Sequence, residues 1–247
     1  MQLKMIKNLL EKFKKGRNKN LYKSISATFL AKGFSAVCNL LYITISISYI
    51  NPGQFGIWLT LSSVIGWLMF LDVGLGNGLK NHLGEALAAK NYKQGKIYVS
   101  TAYWSLFIFL AFLCILFVAI NPYINWSGLM NVPRIYEGDL HVLSTIVFVC
   151  FCIQFLLQLI NNIFAADQKY EWGAITNLLA NALILTGVVI MKYTVTGSLL
   201  ILGITVSVVP VIVYSFISLY FFNTKYRALI PSVKWFRFRE VRQLFSI

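Results

Sequence analysis

Acidic side chains are scarce here: 8 Asp and Glu stand against 22 Lys and Arg in 247 residues, with only two histidines. That shortage removes most of the groups from which acid–base pairs and carboxylate metal sites are built. Charged residues make up 12% of the chain, about half the share of roughly 25% usual in a soluble domain. Cysteine is limited to four residues, Cys38, Cys114, Cys150 and Cys152, all inside apolar runs. The last two are two positions apart and point to different sides of a helix. Neither a disulfide framework nor a metal site follows; free buried thiols do.

What the chain has instead is apolar length. It is 58% hydrophobic, with a mean hydropathy of +0.70. Six apolar runs, at about 21–50, 55–75, 97–120, 140–166, 173–191 and 198–222, are long enough to cross a hydrocarbon core of roughly 30 Å. The expected fold is therefore all-α, a polytopic six-helix membrane bundle. Residues 1–20 precede it as a basic, weakly amphipathic segment suited to an anionic membrane surface. Residues 223–247 follow as a basic, aromatic tail or linker. Asn51-Pro52-Gly53 and Asn121-Pro122 punctuate the runs with turn chemistry. The stretch Gly74-Leu-Gly-Asn-Gly78 has only a surface likeness to a phosphate-binding loop, because a membrane span precedes it where a dinucleotide fingerprint needs a strand.

A net charge of +14 would point to nucleic acid in a soluble protein. Here the cations sit between the apolar runs, so no nucleic-acid partner is expected. Eight lie in the first 23 residues, four between 80 and 96, one at Lys169 and six in the tail; the alternate connections hold only Arg134 and Lys192. Positive residues concentrate in cytoplasmic segments. Both ends are expected on the cytoplasmic side.

Polar residues inside the spans mark candidate lumen positions. In the first span Ser24, Thr28, Lys32, Ser35, Asn39, Tyr42, Ser46 and Tyr49 recur at helical spacing on one stripe. Gln154, Gln158 and Asn161 do the same in the fourth span, extended by Asn162, and Asn177 and Asn181 in the fifth. Polar groups at such depths face other helices or a wet cavity. Lys32 lies eight residues past Ser24, the first residue of the stripe, or roughly 12 Å by helical rise. Its ammonium either snorkels to the near interface or faces the lumen, with Asp72 at the inner end of span two as a partner. Pro210 falls in mid-span and cannot donate to Val206, which makes it a hinge candidate. Glu137 and Asp139 read as solvated charge in an outer loop. With no clustered acid, base or nucleophile, an enzyme is not expected, nor is any cofactor or metal.

The segments Asn51-Pro-Gly-Gln-Phe-Gly-Ile-Trp58, Leu71-Asp-Val-Gly-Leu-Gly-Asn-Gly-Leu-Lys80 and Asn81-His-Leu-Gly-Glu-Ala-Leu-Ala-Ala-Lys90 resemble the polysaccharide-transporter branch of the multidrug/oligosaccharidyl-lipid/polysaccharide exporter superfamily, the Wzx-type O-antigen flippases. The resemblance implies one lobe of a twelve- to fourteen-helix exporter in a bacterial inner membrane. It implies a polyprenyl-diphosphate-linked oligosaccharide as cargo, moved by alternating access, and a polysaccharide polymerase as a partner beside the membrane lipids. Lys32 would then attract the diphosphate, and the polar faces of spans one, four and five would receive sugar hydroxyls. Because the family has two such lobes, a chain with one reads as a fragment. Cation-coupled drug export on the same fold, or a non-transporting assembly partner, are the rival readings.

Overall fold

The computed structural model describes residues 2–66 and 74–245, and every regular element among them is helical. In chain order these are α1 (Gln2–Ile50), α2 (Pro52–Gly66), α3 (Leu75–Ala88), α4 (Tyr92–Ile120), α5 (Trp126–Met130), α6 (Glu137–Leu157), α7 (Leu159–Ala166), α8 (Tyr170–Thr194), α9 (Leu199–Asn223) and α10 (Phe238–Phe245). Among the described residues five helical stretches are long and apolar enough to cross a membrane: Ser24–Ile50, Tyr92–Tyr123, Arg134–Ala166, Tyr170–Thr194 and Leu199–Asn223. Part of the second expected span, with Asp72, lies outside the described residues.

Asparagines set the turns. Asn51 takes a left-handed φ of 72° that ends α1, a conformation Asn tolerates better than most residues. Its side-chain oxygen accepts from Gln54 N at 3.0 Å, and Pro52 occupies the first position of α2, where a missing N–H costs nothing. Asn91 caps α4 by accepting from Gln94 N at 3.1 Å, and Asn125 caps α5 by accepting from Gly128 N at 2.9 Å.

The long helices fall into two parallel pairs. Three cross-bonds join α1 to α8 in register: Ser24 donates to Glu171, Asn181 donates to Ser35 at 2.6 Å, and Lys192 donates to Ser48 at 2.9 Å. The numbers rise together, so the helices run in the same direction. Likewise α6–α7 runs parallel to α9. Leu143 meets Gly203, where a Cβ would overlap the leucine, and Asn161 meets Tyr214 further along. Helix α4 starts beside the chain that leaves α9 and ends against the start of α6. The chain leaves α1 at the end where α9 begins, since Tyr49 bonds Thr196 O at 3.2 Å. By α3 it has returned to the opposite end, against α4 and α7. Among the described residues the start of α2 and helix α3 thus lie at opposite ends of the bundle.

The glycine-rich stretch is no loop. Gly74 takes φ 84° and opens α3, which buries Leu75, Leu79 and Leu83 on one stripe. Its glycines serve close packing: a Cβ on Gly78 would overlap the Leu244 carbonyl of α10. The tail is docked across this end. Ser232 N donates to Ser100 Oγ at 3.1 Å, Arg237 N donates to Thr101 Oγ1 at 3.2 Å, and Leu244 is fully buried. Lys225 pairs with Asp167, and the Tyr226 hydroxyl donates to the same carboxylate at 2.9 Å. Burial and that carboxylate push the Tyr226 hydroxyl up, so it stays protonated as the donor.

At the opposite end a polar cap closes the connection between α4 and α6. Buried Asn121 donates to His141 O at 2.9 Å and to Thr145 Oγ1 at 2.8 Å, and accepts from Trp126 Nε1 at 2.7 Å and Ser144 Oγ at 3.0 Å. Glu137 is not solvated loop charge. It begins α6, accepts from Trp126 N at 2.9 Å and Ser127 N at 2.7 Å, and lies 3.2 Å from His141 Nε2. The first two amides of α5 belong to buried residues at a helix N-terminus, and the carboxylate accepts from both.

Candidate functional site

The fourth span is broken in the middle without proline or glycine. Helix α6 stops at Leu157 and α7 starts at Leu159, with Gln158 between them. Asn161 N bonds Gln158 O at 2.9 Å, a tighter turn than the α-helical one. Gln158 and Asn161 therefore stand at an irregularity, where backbone deviations at membrane depth line cavities or are covered by protein.

A cavity of about 570 Å³ lies beside that break, between α1, α8 and α9. Lys32, Ser24 and Thr28 line it from α1, Gln158 and Asn161 from the break, Tyr170 and Asn177 from α8, and Tyr214 from α9. Asn161 donates to the Tyr214 hydroxyl at 3.3 Å, and its own amide oxygen is buried without a partner among the described residues. Glycine at 173 makes room for it: a Cβ there would come within 3.2 Å of that oxygen. A second cavity of about 210 Å³, reaching Leu106 of α4, has Gln158, Asn161 and Asn162 in its wall. The two amides at the break thus serve both spaces.

The wall carries one cation, several amides and hydroxyls, and no acid or imidazole among its described residues. Lys32 is solvent-exposed and has no carboxylate within 4.0 Å among the described residues. Such a surface can hold an anion and hydrogen-bond many hydroxyls. Among the described residues no group of three or more His, Cys, Asp or Glu could hold a metal.

Of the candidate positions, the structure brings together Lys32, Gln158, Asn161 and Asn177. The others have different surroundings. Tyr42 is buried and accepts from Trp58 Nε1 at 2.8 Å, tying α1 to α2. Asn181 bonds Ser35 between α8 and α1. Asn39 is exposed and Gln154 half-buried, and neither lines either cavity. Pro210 is buried in α9, which continues unbroken through it. The phenols Tyr170 and Tyr214 were not among the candidates. For Tyr214 a signal existed in its place one turn after Pro210, where the carbonyl of Val206 lacks its usual donor.

A family model, MatE, matches residues 34–191, from within α1 to the last turns of α8. No curated protein and no solved structure matches the chain. The matched stretch carries the helix break, the cap and half of the cavity wall; Lys32 and Tyr214 lie outside it. It covers well over half of the sequence, and the chain accordingly belongs to the MatE family, transporters of the exporter superfamily, and is a multi-pass membrane protein.

Proposed function

We propose that this lobe handles a polyprenyl-diphosphate-linked oligosaccharide, moving it across a bacterial cytoplasmic membrane during polysaccharide assembly. The observation that carries the reading is the lone Lys32 ammonium in a cavity walled by amides and phenols. A diphosphate supplies the charge that Lys32 lacks, and sugar hydroxyls suit Gln158, Asn161 and Asn177. Pro210 would let α9 flex just before Tyr214 as access alternates. A polysaccharide polymerase is the natural receiver of such cargo.

One observation favours cation-coupled drug export instead: Ser24, on the cavity wall, donates to the carboxylate of Glu171. Equilibrium binding to the purified protein separates the two. A short-chain polyprenyl-diphosphate sugar is expected to bind and to resist competition by a quaternary ammonium dye. Saturable dye binding that excludes the sugar lipid would sink the flippase reading and favour the exporter.

The proposal places both ends of the chain in the cytoplasm. Reporter fusions after Lys90, Lys169 and Lys234 are expected to report cytoplasm, and fusions after Tyr136 and Thr196 the outside. A cytoplasmic signal at Tyr136 contradicts this orientation.

A further inference from the structure

Helix α4 is the least covered of the five apolar stretches: 11% of its most apolar window is buried, against 28% to 44% in the others. On this lipid-facing flank a groove of about 230 Å³ runs between α4, α6 and the start of the tail. Tyr103, Trp104 and Phe107 line it with Leu156, and Pro231 sits at its mouth. The bonds of Ser232 to Ser100 and of Arg237 to Thr101 fix that mouth in place.

Beside the groove the tail alternates apolar and basic residues. Exposed Ile230, Val233 and Phe238 are interleaved along the chain with cations. Lys96 stands 5.7 Å from the Trp235 ring, and Lys234 and Arg237 are exposed. None of these three has a carboxylate within 4.0 Å among the described residues. Glu240 is the single acid between residues 223 and 247, against six Lys and Arg. An apolar slot thus lies next to a tail segment of aromatic and basic side chains on the same flank. A phospholipid has the matching parts, an acyl chain, a glycerol ester and a phosphate.

We propose that this flank is a binding site for an anionic phospholipid. One acyl chain lies in the groove against Trp104, and the headgroup is held by Lys96, Lys234 and Arg237. A soluble phosphate would satisfy the cations but leave the groove unfilled, and a zwitterionic lipid would fill the groove without neutralising them. The site is separate from the cavity around Lys32, so it stands whichever cargo that cavity takes.

The test uses the tryptophan in the groove. The protein is reconstituted into phosphatidylcholine vesicles containing a minor fraction of brominated phosphatidylglycerol or brominated phosphatidylcholine. Emission from Trp104 is taken as the difference from Trp104→Phe. At equal mole fraction the anionic brominated lipid is expected to quench Trp104 several-fold more strongly. Each basic residue near an anionic surface favours binding about fivefold, so K96Q/K234Q/R237Q is expected to reduce the preference by on the order of tenfold or more. These substitutions remove charge at surface positions and leave the fold's packing alone. Equal quenching by the two lipids, or a preference unchanged in the triple variant, overturns the proposal.

Discussion

Lys32→Ala is expected to weaken binding of a polyprenyl-diphosphate sugar by about ten- to a hundredfold, while the protein still reaches the membrane in normal amounts. The magnitude follows from charge. Two unit charges 4 Å apart attract by about 4 kcal/mol at an effective dielectric constant near 20, and about 1.4 kcal/mol is a factor of ten in affinity. Competing hydration takes back part of that attraction, which leaves a loss of one to two decades. Lys32 is the sole cation on the described cavity wall, so no neighbour replaces it. Lys32→Arg keeps the charge and is expected to stay within a few-fold of the native affinity. Asn177→Ala removes one amide from the same wall and should cost only a few-fold. Membrane insertion is unaffected by Lys32→Ala because a charge at mid-span opposes insertion by roughly 2.5–3.5 kcal/mol. The binding isotherm decides the matter. If Lys32→Ala binds the diphosphate sugar as the native protein does, the ammonium does not hold the cargo.

Asn121→Leu is expected to destabilise the bundle without altering cargo binding. The side chain of Asn121 is the centre of the cap: it joins α4 to α6 and holds the ring N–H of Trp126, which is 3% exposed. Leucine keeps the bulk but deprives Trp126 Nε1 of its acceptor, while Ser144 Oγ keeps its second bond, to His141 O at 3.1 Å. A buried donor left without a partner costs about 1–3 kcal/mol, and the lost bonds to His141, Thr145 and Ser144 bring the total to about 2–4 kcal/mol. For a chain of this size each 1 kcal/mol moves the unfolding midpoint by roughly 2–4 °C, and the expected fall in detergent is about 5–15 °C. Asn121→Asp keeps the acceptors and loses the donors, and is expected to fall between. A midpoint for Asn121→Leu within about 1 °C of the native value would show that the cap adds nothing to stability.

How much of this was readable beforehand depends on the kind of signal. Hydropathy marks the spans well because lipid leaves the backbone no alternative to helix. The polar stripe of α1 was equally legible, and Lys32 does line a cavity. Periodicity cannot say what a polar residue faces, however. Ser35 and Lys32 share the stripe, yet Ser35 bonds Asn181 while Lys32 opens into space. Tyr42 belongs to the same stripe and is taken by Trp58. Distinguishing these cases requires knowing which helix lies alongside, and α8 arrives more than a hundred residues later. The break at Gln158 left no trace, because its neighbours Leu157 and Leu159 are ordinary helix formers. Helix α3 was hidden for the opposite reason. Gly74, Gly76 and Gly78 look like a loop, but only Gly74 needs its conformational freedom, and Gly78 is there to let α10 approach.

The register between α1 and α8 has a consequence for synthesis. The bonds of Ser24 to Glu171, Ser35 to Asn181 and Ser48 to Lys192 span 144 to 147 residues of chain. At about 5–20 residues per second, α1 waits on the order of 7–30 s for its partner after leaving the ribosome. During that interval its serines and Lys32 meet lipid, the insertion machinery or nothing. The helix must therefore be apolar enough to remain inserted alone and polar enough to recognise α8 when it comes. Its large apolar residues Phe29, Leu30, Val37 and Leu41, still exposed in the finished bundle, meet the first requirement, and the stripe on its other side meets the second.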